Sequence, residues 1–560
     1  MRRTPRALIL AGSVARRHMS NDPVRAGLLA LRLTPERVKQ SAFGLTLRVF
    51  PGAVLPRVLR LWETGRRERA LGLAARAPAR PRTLRRLARW AAAVERPDTA
   101  RLLAGRLPPG GRHRARLEAV LARRAAGPAG AAVGRGPGEG PGEVPAPAAR
   151  RPAGPPVPGR VLHLVTNSPP YRNAGYTVRT LGIVRGQRAA GLDPHVVTRL
   201  GFPVAQGVWD GRPVQYLEGV PHHRLLPLLM PAAPHRVLER NAELAARLVE
   251  RLRPAVLHAA TDHPNGRIAL ALRETYGLPV VYEVRGFLEE TWLTQAPGRT
   301  PADPAYRRAR ELETHCMRAA DAVITLGEQM RREIVSRGVP PERVHVVPNA
   351  VDEEFLRPPP DAGPLRAALG IAPDEPVAGT VATLTPHEGV STLVRAAAEL
   401  RRRGGALRVL VVGDGPQLAV VRRQAEALTP PGTVLFTGRV PHAEVRRHLA
   451  VLDVFAVPRT ADRVCRLVTP LKPVEAMACG LPVLASDLPA LAELVTDGVH
   501  GRLLPPDDPG AWAEALGGLL ERPAERRRMG EAARRRVARD RTWSRAGVRT
   551  RDIYRMLGAA

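Results

Sequence analysis

Lysine is almost absent from this chain of 560 residues. Among its 87 Lys and Arg residues only Lys39 and Lys472 are lysines, so arginine carries nearly every positive charge. A compact ammonium binds phosphate as a point charge, whereas a guanidinium is a planar fork. We therefore interpret Lys472 as a candidate phosphate-binding residue. The alternative is a solvated lysine at the start of a helix.

Cysteine is also scarce. The chain has three, Cys316, Cys465 and Cys479. Three cysteines cannot form a disulfide framework, and their spacing does not match that of a metal site. We expect no bound metal, and we expect Cys316 and Cys479 to pack as small apolar residues in helices.

Aromatic residues and long apolar runs are few as well. Aromatics make up 4% of the chain, while 51 glycines and 57 prolines predict long irregular stretches beside the folded parts. The longest early apolar run, residues 7–14, is too short to span a bilayer and is followed at once by Arg16 and Arg17. It also lacks a convincing secretory segment and cleavage site. We expect a cytoplasmic protein.

Positive charge, by contrast, is abundant. A formal net charge of +35 and a pI near 11.5 would suit a nucleic-acid-binding protein. The arginines, however, are spread along helical patterns, and no zinc pattern, helix-turn-helix or aromatic–basic strand accompanies them. We therefore expect no specific nucleic-acid partner. The diffuse field would still favour anionic partners, including peripheral contact with an anionic membrane at its inner face.

The chain divides into parts of different composition. Residues 1–126 show helical periodicity broken by Pro and Gly, which predicts an α-helical N-terminal extension. Residues 127–159 are rich in Gly, Pro and Ala, which predicts a disordered linker. An α/β pattern follows, and we place its two domains at residues 160–358 and 359–541, with a last helix at 542–560.

Short apolar runs alternate with helical patterns throughout the α/β part. The runs predict strands at residues 161–166, 195–199, 256–259, 279–284, 322–326, 344–347, 377–381, 409–412, 433–438, 451–457 and 483–485. Such alternation predicts parallel sheets with helices on both faces. The fold class is therefore α/β.

Residues 458–487 contain the most informative stretch. A predicted strand ends at Pro458, and a loop with Arg459 and Arg463 follows it. A helix then begins near Pro470 and carries Lys472 and Glu475. A strand, a basic loop and a helix start are where an open α/β sheet binds an anionic ligand.

The segment PLKPVEAMACGLPVLASD resembles the nucleotide-sugar site of family 4 glycosyltransferases, which have the GT-B fold of two Rossmann-like domains facing a cleft. The segment VHVVPNAVDEEFL resembles the junction between those domains. The patterns GYTVRT and VTPLKPVEAMA are similar to those of one subgroup. The resemblance covers about residues 160–557.

This resemblance implies transfer of a sugar from a nucleoside diphosphate, UDP or GDP, to an acceptor hydroxyl. It implies retention of anomeric configuration and a carbohydrate or lipid-linked acceptor, in cell-envelope polysaccharide or glycoconjugate synthesis. No obligatory cofactor is implied. The acceptor would bind mainly to the first domain and the donor to the second.

Glu475 matches the second glutamate of the family's E-x7-E pair, which accepts hydrogen bonds from the ribose hydroxyls. The first glutamate of that pair would fall at Leu467, and is missing. An arginine and a lysine that ordinarily bind the diphosphate would fall at Thr383 and Glu388, and are missing too. We expect Glu388 to begin a helix, where a carboxylate suits the helix dipole.

These losses suggest that the diphosphate charge comes from a different loop. Arg459, Arg463 and Lys472 would supply it, because breaking the glycosyl–phosphate bond needs fixed positive charge near the leaving group. The residues assigned to catalysis are Lys472, Arg463, Glu475 and Arg285. Arg285 could instead be an arginine paired structurally to Glu283 or Glu289.

Further donor contacts are expected on both domains. They are Gly175, Tyr176, Arg179, His258, Gly413, Gly415, Gly438, Arg459, Thr469, Pro470 and Leu471. Alternatives remain for several of them: Gly175, Gly413 and Gly415 could serve only tight turns. His258 could be a hydrogen-bonded core residue.

Two other functions remain open. One is a different enzyme on the same fold, such as a nucleotide-sugar epimerase or a phosphorylase. The other is a scaffold or binding protein that has lost turnover. The best support for lost turnover is the departure of Leu467, Thr383 and Glu388 from the ordinary pattern.

Overall fold

The computed structural model describes residues 144–148, 154–231, 233–296 and 298–560, together with residues 67–77 and 97–107 and isolated positions between 10 and 118. The remainder of the predicted N-terminal extension and linker lies outside these residues. Within the described part, no helix is both long and apolar enough to cross a membrane.

The described part of the N-terminal extension is helical. It contains α1 (Arg67–Ala75) and α2 (Pro97–Gly105). Small side chains of both helices, Ala70 and Ala74 with Leu103 and Ala104, bury a core of their own. Near the start of the chain, Leu10 and Val14 pack on Val204 of the first α/β domain.

Two short segments of the predicted linker are ordered. Val144 is only 6% exposed and joins the apolar core of the first α/β domain. The hydroxyl of Thr275 donates to the carbonyl of Pro147 at 3.2 Å, and the amide of Val157 donates to the carbonyl of Arg253 at 2.8 Å. Residues 144–148 and 154–159, within the stretch predicted to be a linker, therefore contact the first α/β domain.

The first α/β domain has one sheet, with strands in the order β3-β4-β2-β1-β5-β6-β7-β8. The strands are β1 (Arg160–Val165), β2 (Asp193–Thr198), β3 (Val214–Leu217), β4 (Val220–Arg224), β5 (Val256–Ala260), β6 (Val280–Val284), β7 (Ala322–Thr325) and β8 (Val344–Val346). The helices are α3 (Gly175–Ala189), α4 (Pro234–Leu252), α5 (His263–Tyr276), α6 (Leu288–Leu293), α7 (Pro304–Ala319) and α8 (Glu328–Ser336). All pairings are parallel except that of the edge strand β3 with β4.

The second domain has a parallel sheet in the order β11-β10-β9-β12-β13-β14. Its strands are β9 (Val377–Val381), β10 (Arg408–Val412), β11 (Val434–Gly438), β12 (Val454–Val457), β13 (Val483–Ser486) and β14 (Gly501–Leu504). Its helices are α9 (Gly363–Ala368), α10 (Val390–Arg402), α11 (Leu418–Leu428), α12 (Val445–Ala450), α13 (Arg463–Leu467), α14 (Lys472–Ala478), α15 (Pro489–Ala492), α16 (Pro509–Leu520) and α17 (Pro523–Asp540). Two Rossmann-like domains, as predicted, are confirmed.

The C-terminal helix α18 (Trp543–Met556) packs against α3 of the first domain. The two helices approach so closely that a Cβ at Gly186 would collide with the carbonyl of Trp543, and one at Gly547 with the backbone of Gly186. Glycine at both positions therefore allows the end of the chain to bind the first domain.

Helix α13 of the second domain packs against α6 and α8 of the first. Leu467 and Val468, at its end, contact the apolar core of the first domain. The carboxylate of Glu493 accepts hydrogen bonds from the backbone amides of Glu328 (2.8 Å) and Gln329 (2.6 Å). These contacts hold the two domains together beside the cleft.

Three local predictions are wrong. Strand β12 begins at Val454, because Val451 ends α12 and Asp453 turns its carboxylate to accept from the amide of Val377 at 2.9 Å. Arg463 lies at the start of α13 and not in a loop. Glu388 lies in a short 3-10 turn (Pro386–Glu388), and α10 begins only after Gly389, whose φ is +64°.

Candidate functional site

Lys472 and Glu475 face each other at the start of α14. The ammonium Nζ donates to Oε2 of Glu475 at 2.7 Å, and the two side chains are 29% and 3% exposed. Their helix follows β12 and packs beside the crossover segment Glu353–Leu356 that joins the domains. The pair thus lies near the junction of the domains, with its cation partly open to solvent.

His442 completes this group from the loop after β11. Its Nε2 lies 3.6 Å from Oε1 of Glu475, and its ring meets Phe355 of the crossover edge to face, with centroids 6.0 Å apart. Burial alone would raise the pKa of Glu475, but the charge of Lys472 and the contact with His442 outweigh burial and lower it. Glu475 is therefore an anionic hydrogen-bond acceptor at neutral pH.

Arg459 is already engaged by a carboxylate. Its Nη2 donates to Oε1 of Glu388 at 2.7 Å and its Nε approaches Oε2 at 3.3 Å. A third bond runs from Nη1 to the carbonyl of Val468 at 3.1 Å. Arg459, predicted to bind the diphosphate, thus neutralises Glu388, where the family resemblance led us to expect a lysine.

Arg463 bridges the domains. Its Nε donates to Glu290 at 3.0 Å and its Nη2 to Glu333 at 2.6 Å, both in the first domain. The side chain is 52% exposed, but both of its partners are buried. Its charge is used for the domain contact.

Arg285 and Arg179 share the carboxylate of Glu283, at the carboxyl end of β6. Nε of Arg285 lies 2.6 Å from Oε2 of Glu283, and Nε of Arg179 lies 2.9 Å from Oε1. Burial would raise the pKa of Glu283, yet Arg285, Arg179 and His258 together hold it well below its usual range. The carboxylate therefore keeps its charge in a fully buried position.

The two arginines point in different directions from Glu283. Arg285 donates through Nη1 to the carbonyl of Tyr176 (2.8 Å) and to Thr180 (2.7 Å), at the start of α3. Arg179 is buried and donates to the carbonyls of Val347 (2.8 Å) and Pro348 (3.0 Å). Arg285, 7% exposed, thus contacts the exposed Tyr176 at the start of α3, a region we call the rim of the first domain. Arg179, 2% exposed, is buried against the backbone of Val347 and Pro348.

His258 is a buried histidine of β5. Its Nδ1 lies 2.5 Å from the hydroxyl of Tyr554 on α18, and its Nε2 lies 3.4 Å from Glu283. Burial lowers its pKa, so the ring is neutral. These contacts favour the alternative of a hydrogen-bonded core residue.

Three of the four predicted glycines, Gly413, Gly415 and Gly438, lie at or just after the carboxyl ends of strands, and Gly175 begins α3. Gly413 follows β10 with φ +143°, and a Cβ there would collide with the carbonyl of Ala382; at Gly415 a Cβ would lie 2.5 Å from the carbonyl of Leu384. Gly438 ends β11 with φ +72°. At Gly175 the space for a Cβ is open. Glycine is needed at 413 and 415 because the backbone of a neighbouring loop comes too close for a Cβ. This favours the alternative that these two glycines serve tight turns.

The segment before α14 contacts the first domain. The amide of Asn349 donates to the carbonyl of Thr469 at 3.1 Å, and Leu471 packs on a cluster of the first domain that includes Trp543. Pro470 lies between them. Tyr176 is 40% exposed, and its hydroxyl accepts from Asn167 at 3.2 Å.

The predicted site residues thus form two separate groups in the structure. Lys472, Glu475 and His442 form one, and Arg285 with Tyr176 forms another on the first domain. Arg459 and Arg463 each belong to an ion pair outside both groups. His442 was missed because a histidine between a strand and a short helix carries no pattern of its own.

Two family descriptions match this chain on either side of the crossover. "Glycosyl transferase 4-like domain" covers residues 174–350, and "Glycosyl transferases group 1" covers residues 362–536. The alpha-maltose-1-phosphate synthase of Mycobacterium tuberculosis is 32% identical over 272 residues, which are 45% of this chain and 68% of that enzyme. The chain belongs to the family 4-like glycosyltransferases with the GT-B fold.

Other glycosyltransferases match a smaller share of their own length. The D-inositol 3-phosphate glycosyltransferase of Nocardia farcinica is 33% identical over 274 residues, 48% of this chain and 59% of the relative. The GDP-mannose-dependent alpha-(1-6)-phosphatidylinositol monomannoside mannosyltransferase of Mycolicibacterium smegmatis is 33% identical over 237 residues, 42% of this chain and 62% of the relative. This glycosyltransferase therefore spans about three fifths of the length of those two relatives.

Solved glycosyltransferase structures share the fold. The sucrose-phosphate synthase of Thermosynechococcus elongatus superposes with a TM-score of 0.59 at 23% identity, covering 71% of this chain and 99% of that one. The Anabaena protein HepE, in complex with UDP and glucose, superposes with a TM-score of 0.57 at 18% identity, covering 72% and 100%. At these identities the likeness shows the GT-B fold alone.

Proposed function

We propose that this glycosyltransferase moves a sugar from a nucleoside diphosphate to an acceptor hydroxyl. The observation that carries the proposal is the Lys472–Glu475 pair, a charged carboxylate and its ammonium 2.7 Å apart beside the junction of the domains. Glu475 is buried and anionic, so it can accept two hydrogen bonds from vicinal hydroxyls such as those of ribose. Lys472, being 29% exposed, can turn toward the phosphates.

The diphosphate contacts proposed for the second domain are Lys472 and the backbone around Gly413, Gly415 and Gly438. We do not extend them to Arg459, which makes two hydrogen bonds to Glu388, or to Arg463, which joins Glu290 and Glu333 of the first domain; Lys472 has a single contact to break. Positive charge fixed near the leaving phosphate stabilises the transition state as the glycosyl–phosphate bond breaks. Retention of configuration is part of the proposal, on family resemblance, and we assign no enzymic nucleophile.

The first domain would bind the acceptor. Tyr176 is 40% exposed at the start of α3 and presents an aromatic face against which a sugar ring could bind, while Arg285, 7% exposed, holds the carbonyl of Tyr176 in place. A carbohydrate or lipid-linked acceptor is proposed, in cell-envelope polysaccharide or glycoconjugate synthesis. Names of relatives mention GDP-mannose and phosphatidylinositol, and structural neighbours hold UDP. The mannosyltransferase name supports a GDP-sugar donor and a lipid-linked acceptor; a UDP-sugar donor and a cytoplasmic location at the inner face of a membrane are proposed on the family resemblance.

A panel of UDP- and GDP-sugars, each with a pool of carbohydrate and lipid-linked acceptors, tests the proposal. Donor-dependent release of nucleoside diphosphate is expected from the native chain, and a loss of at least about 10-fold from Lys472→Ala. Lys39→Ala removes the other lysine of the chain and is the matched control. Equal release by the native chain and Lys472→Ala would contradict the role of Lys472.

A second candidate is a GT-B binding protein without turnover. It is favoured by one observation: Arg459 and Arg463, two of the cations predicted for the diphosphate, are held in ion pairs, and Leu467 is packed against the first domain. Such a protein would be stabilised against heat by UDP or GDP but would release no diphosphate from any donor. Thermal shifts measured beside the release assay separate the two functions.

A further inference from the structure

Tyr554 carries a hydroxyl from the C-terminal helix into the interior of the first domain. The side chain is fully buried. Its hydroxyl lies 2.8 Å from Nε2 of Gln187 on α3 and 2.5 Å from Nδ1 of His258 on β5. A phenol with one proton can donate once and accept once here, so the two contacts fix its orientation.

The hydrogen bonds around Tyr554 run in a single direction. The amide N–H of Gln187 can only donate, so Tyr554 accepts from Gln187 and donates to Nδ1 of His258. The neutral His258 then carries its proton on Nε2, which faces Glu283 at 3.4 Å. On the other side, Nε2 of His163 lies 2.7 Å from Oε1 of Gln187 and donates to it. From His163 and Gln187 to Nδ1 of His258 each donor meets an acceptor, and the series ends in a longer electrostatic contact between Nε2 of His258 and the carboxylate of Glu283.

The carboxylate of Glu283 accepts hydrogen bonds from two arginines, Arg285 and Arg179, and so fixes their orientation. Arg285 reaches the carbonyl of Tyr176 at the rim of the cleft, 2.8 Å away. Arg179 binds the end of the crossover, where its Nη1 lies 3.3 Å from Oδ1 of Asn349. Asn349 in turn donates to the carbonyl of Thr469, three residues before Lys472. One buried carboxylate therefore orients side chains toward both proposed halves of the site.

We propose that Tyr554 is a positioning residue for sugar transfer: through His258 it orients Glu283, and through Glu283 it holds Arg285 at the rim of the cleft. This inference rests on the proposed function. The C-terminal helix, which follows the whole second domain in the chain, thereby supplies a group on which the geometry of the first-domain rim depends. Misplacing a group that orients substrate lowers the rate of the chemical step more than it weakens binding.

The test removes one oxygen atom. Tyr554→Phe in the full chain should lower kcat about 10-fold while KM for the donor stays within about twofold. In protein labelled with 15N at histidine and arginine, the ring signals of His258 and the Nε–H signal of Arg285 should both shift. Tyr276→Phe is the control, because that hydroxyl donates to Glu250 at 2.8 Å elsewhere in the first domain. It should leave kcat, the His258 ring signals and the Arg285 signal unchanged.

A second pair of variants covers the case in which Tyr554→Phe does not fold. His258→Gln keeps an N–H within reach of Glu283 and should retain most of kcat, whereas His258→Leu should lose as much as Tyr554→Phe. An active native chain whose kcat is unchanged in Tyr554→Phe overturns the inference alone. No release by the native chain overturns the proposed function, and an unmoved Arg285 signal in Tyr554→Phe then also overturns the positioning role.

Discussion

Arg459 and Glu388 form a two-point ion pair in which the guanidinium lies 2.7 and 3.3 Å from the two carboxylate oxygens. Glu388 lies in the 3-10 turn after β9, and Arg459 comes from the neighbouring loop after β12. The side chains are 11% and 18% exposed, so neither charge is fully hydrated. The second domain thus contains a largely buried ion pair between these two loops.

We predict that this pair is strongly coupled. In a double-mutant cycle with Glu388→Gln and Arg459→Gln, the coupling free energy of unfolding should be about 1–3 kcal/mol, because removing one partner leaves the other partly buried and unpaired. The more exposed pair Arg403–Glu399, 2.8 Å apart, should give about 0.5 kcal/mol or less. Urea unfolding of the single and double variants measures both. A coupling as small as that of the control pair would mean that solvent screens the Arg459–Glu388 pair.

Leu467 lies at the contact between the domains, where the family resemblance led us to expect a glutamate. Its side chain packs on the apolar core of the first domain, so we predict that Leu467→Glu, which restores the family residue, will destabilise the chain by about 1–3 kcal/mol. The carboxylate would also add negative charge to a domain contact that already contains Glu290 and Glu333, the partners of Arg463 at the start of the same helix, which should loosen that contact. Thermal unfolding and the radius of gyration from X-ray scattering measure the two effects.

The control for Leu467→Glu is Arg466→Glu, on the exposed side of the same helix, where Nε donates only to the carbonyl of Ala461 at 3.2 Å. It should change stability by no more than about 0.5 kcal/mol. A higher melting temperature for Leu467→Glu than for the native chain would contradict the packing argument.

The sequence was sufficient to predict the two α/β domains. It was not sufficient to predict which residues their charged and polar side chains pair with. Apolar runs with short loops predicted the parallel sheets, because strand and helix periods are local properties of the chain. The pairings of Arg463 with Glu290 and of His258 with Tyr554 join residues on different elements, and no local pattern contains them. With arginine used throughout the chain, composition could not distinguish an arginine bound to a carboxylate from one kept for phosphate.

Glu475→Gln should weaken nucleotide binding. The amide keeps the shape of the side chain but has one acceptor oxygen in place of two, and hydrogen bonds to a charged group contribute about 1.5–3 kcal/mol each. We expect the dissociation constant for UDP or GDP to rise at least about 10-fold in calorimetric titration. Glu444→Gln, which alters a glutamate paired with Arg447 at 3.2 Å on the same side of the domain, is the control. Equal affinities for the native chain and Glu475→Gln would exclude Glu475 from the nucleotide site.

Gly547→Ala should detach the C-terminal helix from α3. A Cβ at Gly547 has no room against the backbone of Gly186, and overpacking of this kind costs about 1–3 kcal/mol or more. Gly518→Ala, in α16, is the matched control because a Cβ there would lie 3.5 Å from a flexible arginine tip; it should be neutral or stabilise by about 0.5–1 kcal/mol through helix propensity. Limited proteolysis should cut Gly547→Ala before α18, and an uncut tail would contradict the prediction.

Glu313 should make stability depend on pH near neutrality. Burial raises the pKa of this carboxyl from 4.5 to about 7, while its oxygens contact the amide of His263 at 2.6 Å and the hydroxyl of Tyr282 at 2.5 Å. Because the folded pKa is the higher one, the contribution of Glu313 is complete below pH 4.5 and is lost as the pH rises through about 7.

Glu313→Gln is permanently neutral, and its side-chain oxygen can still accept a hydrogen bond from the amide of His263. Its free energy of unfolding, relative to that of the native chain, should therefore rise by about 3 kcal/mol between pH 5 and pH 8. Taking the difference between the two proteins removes the contributions of carboxylates such as Glu283, whose lowered pKa acts in the opposite direction at acidic pH. Chemical denaturation at several pH values measures it. Parallel curves for the two proteins would mean that Glu313 is ionised across this range despite its burial, and that the hydrogen bonds from His263 and Tyr282 are sufficient to hold its charge.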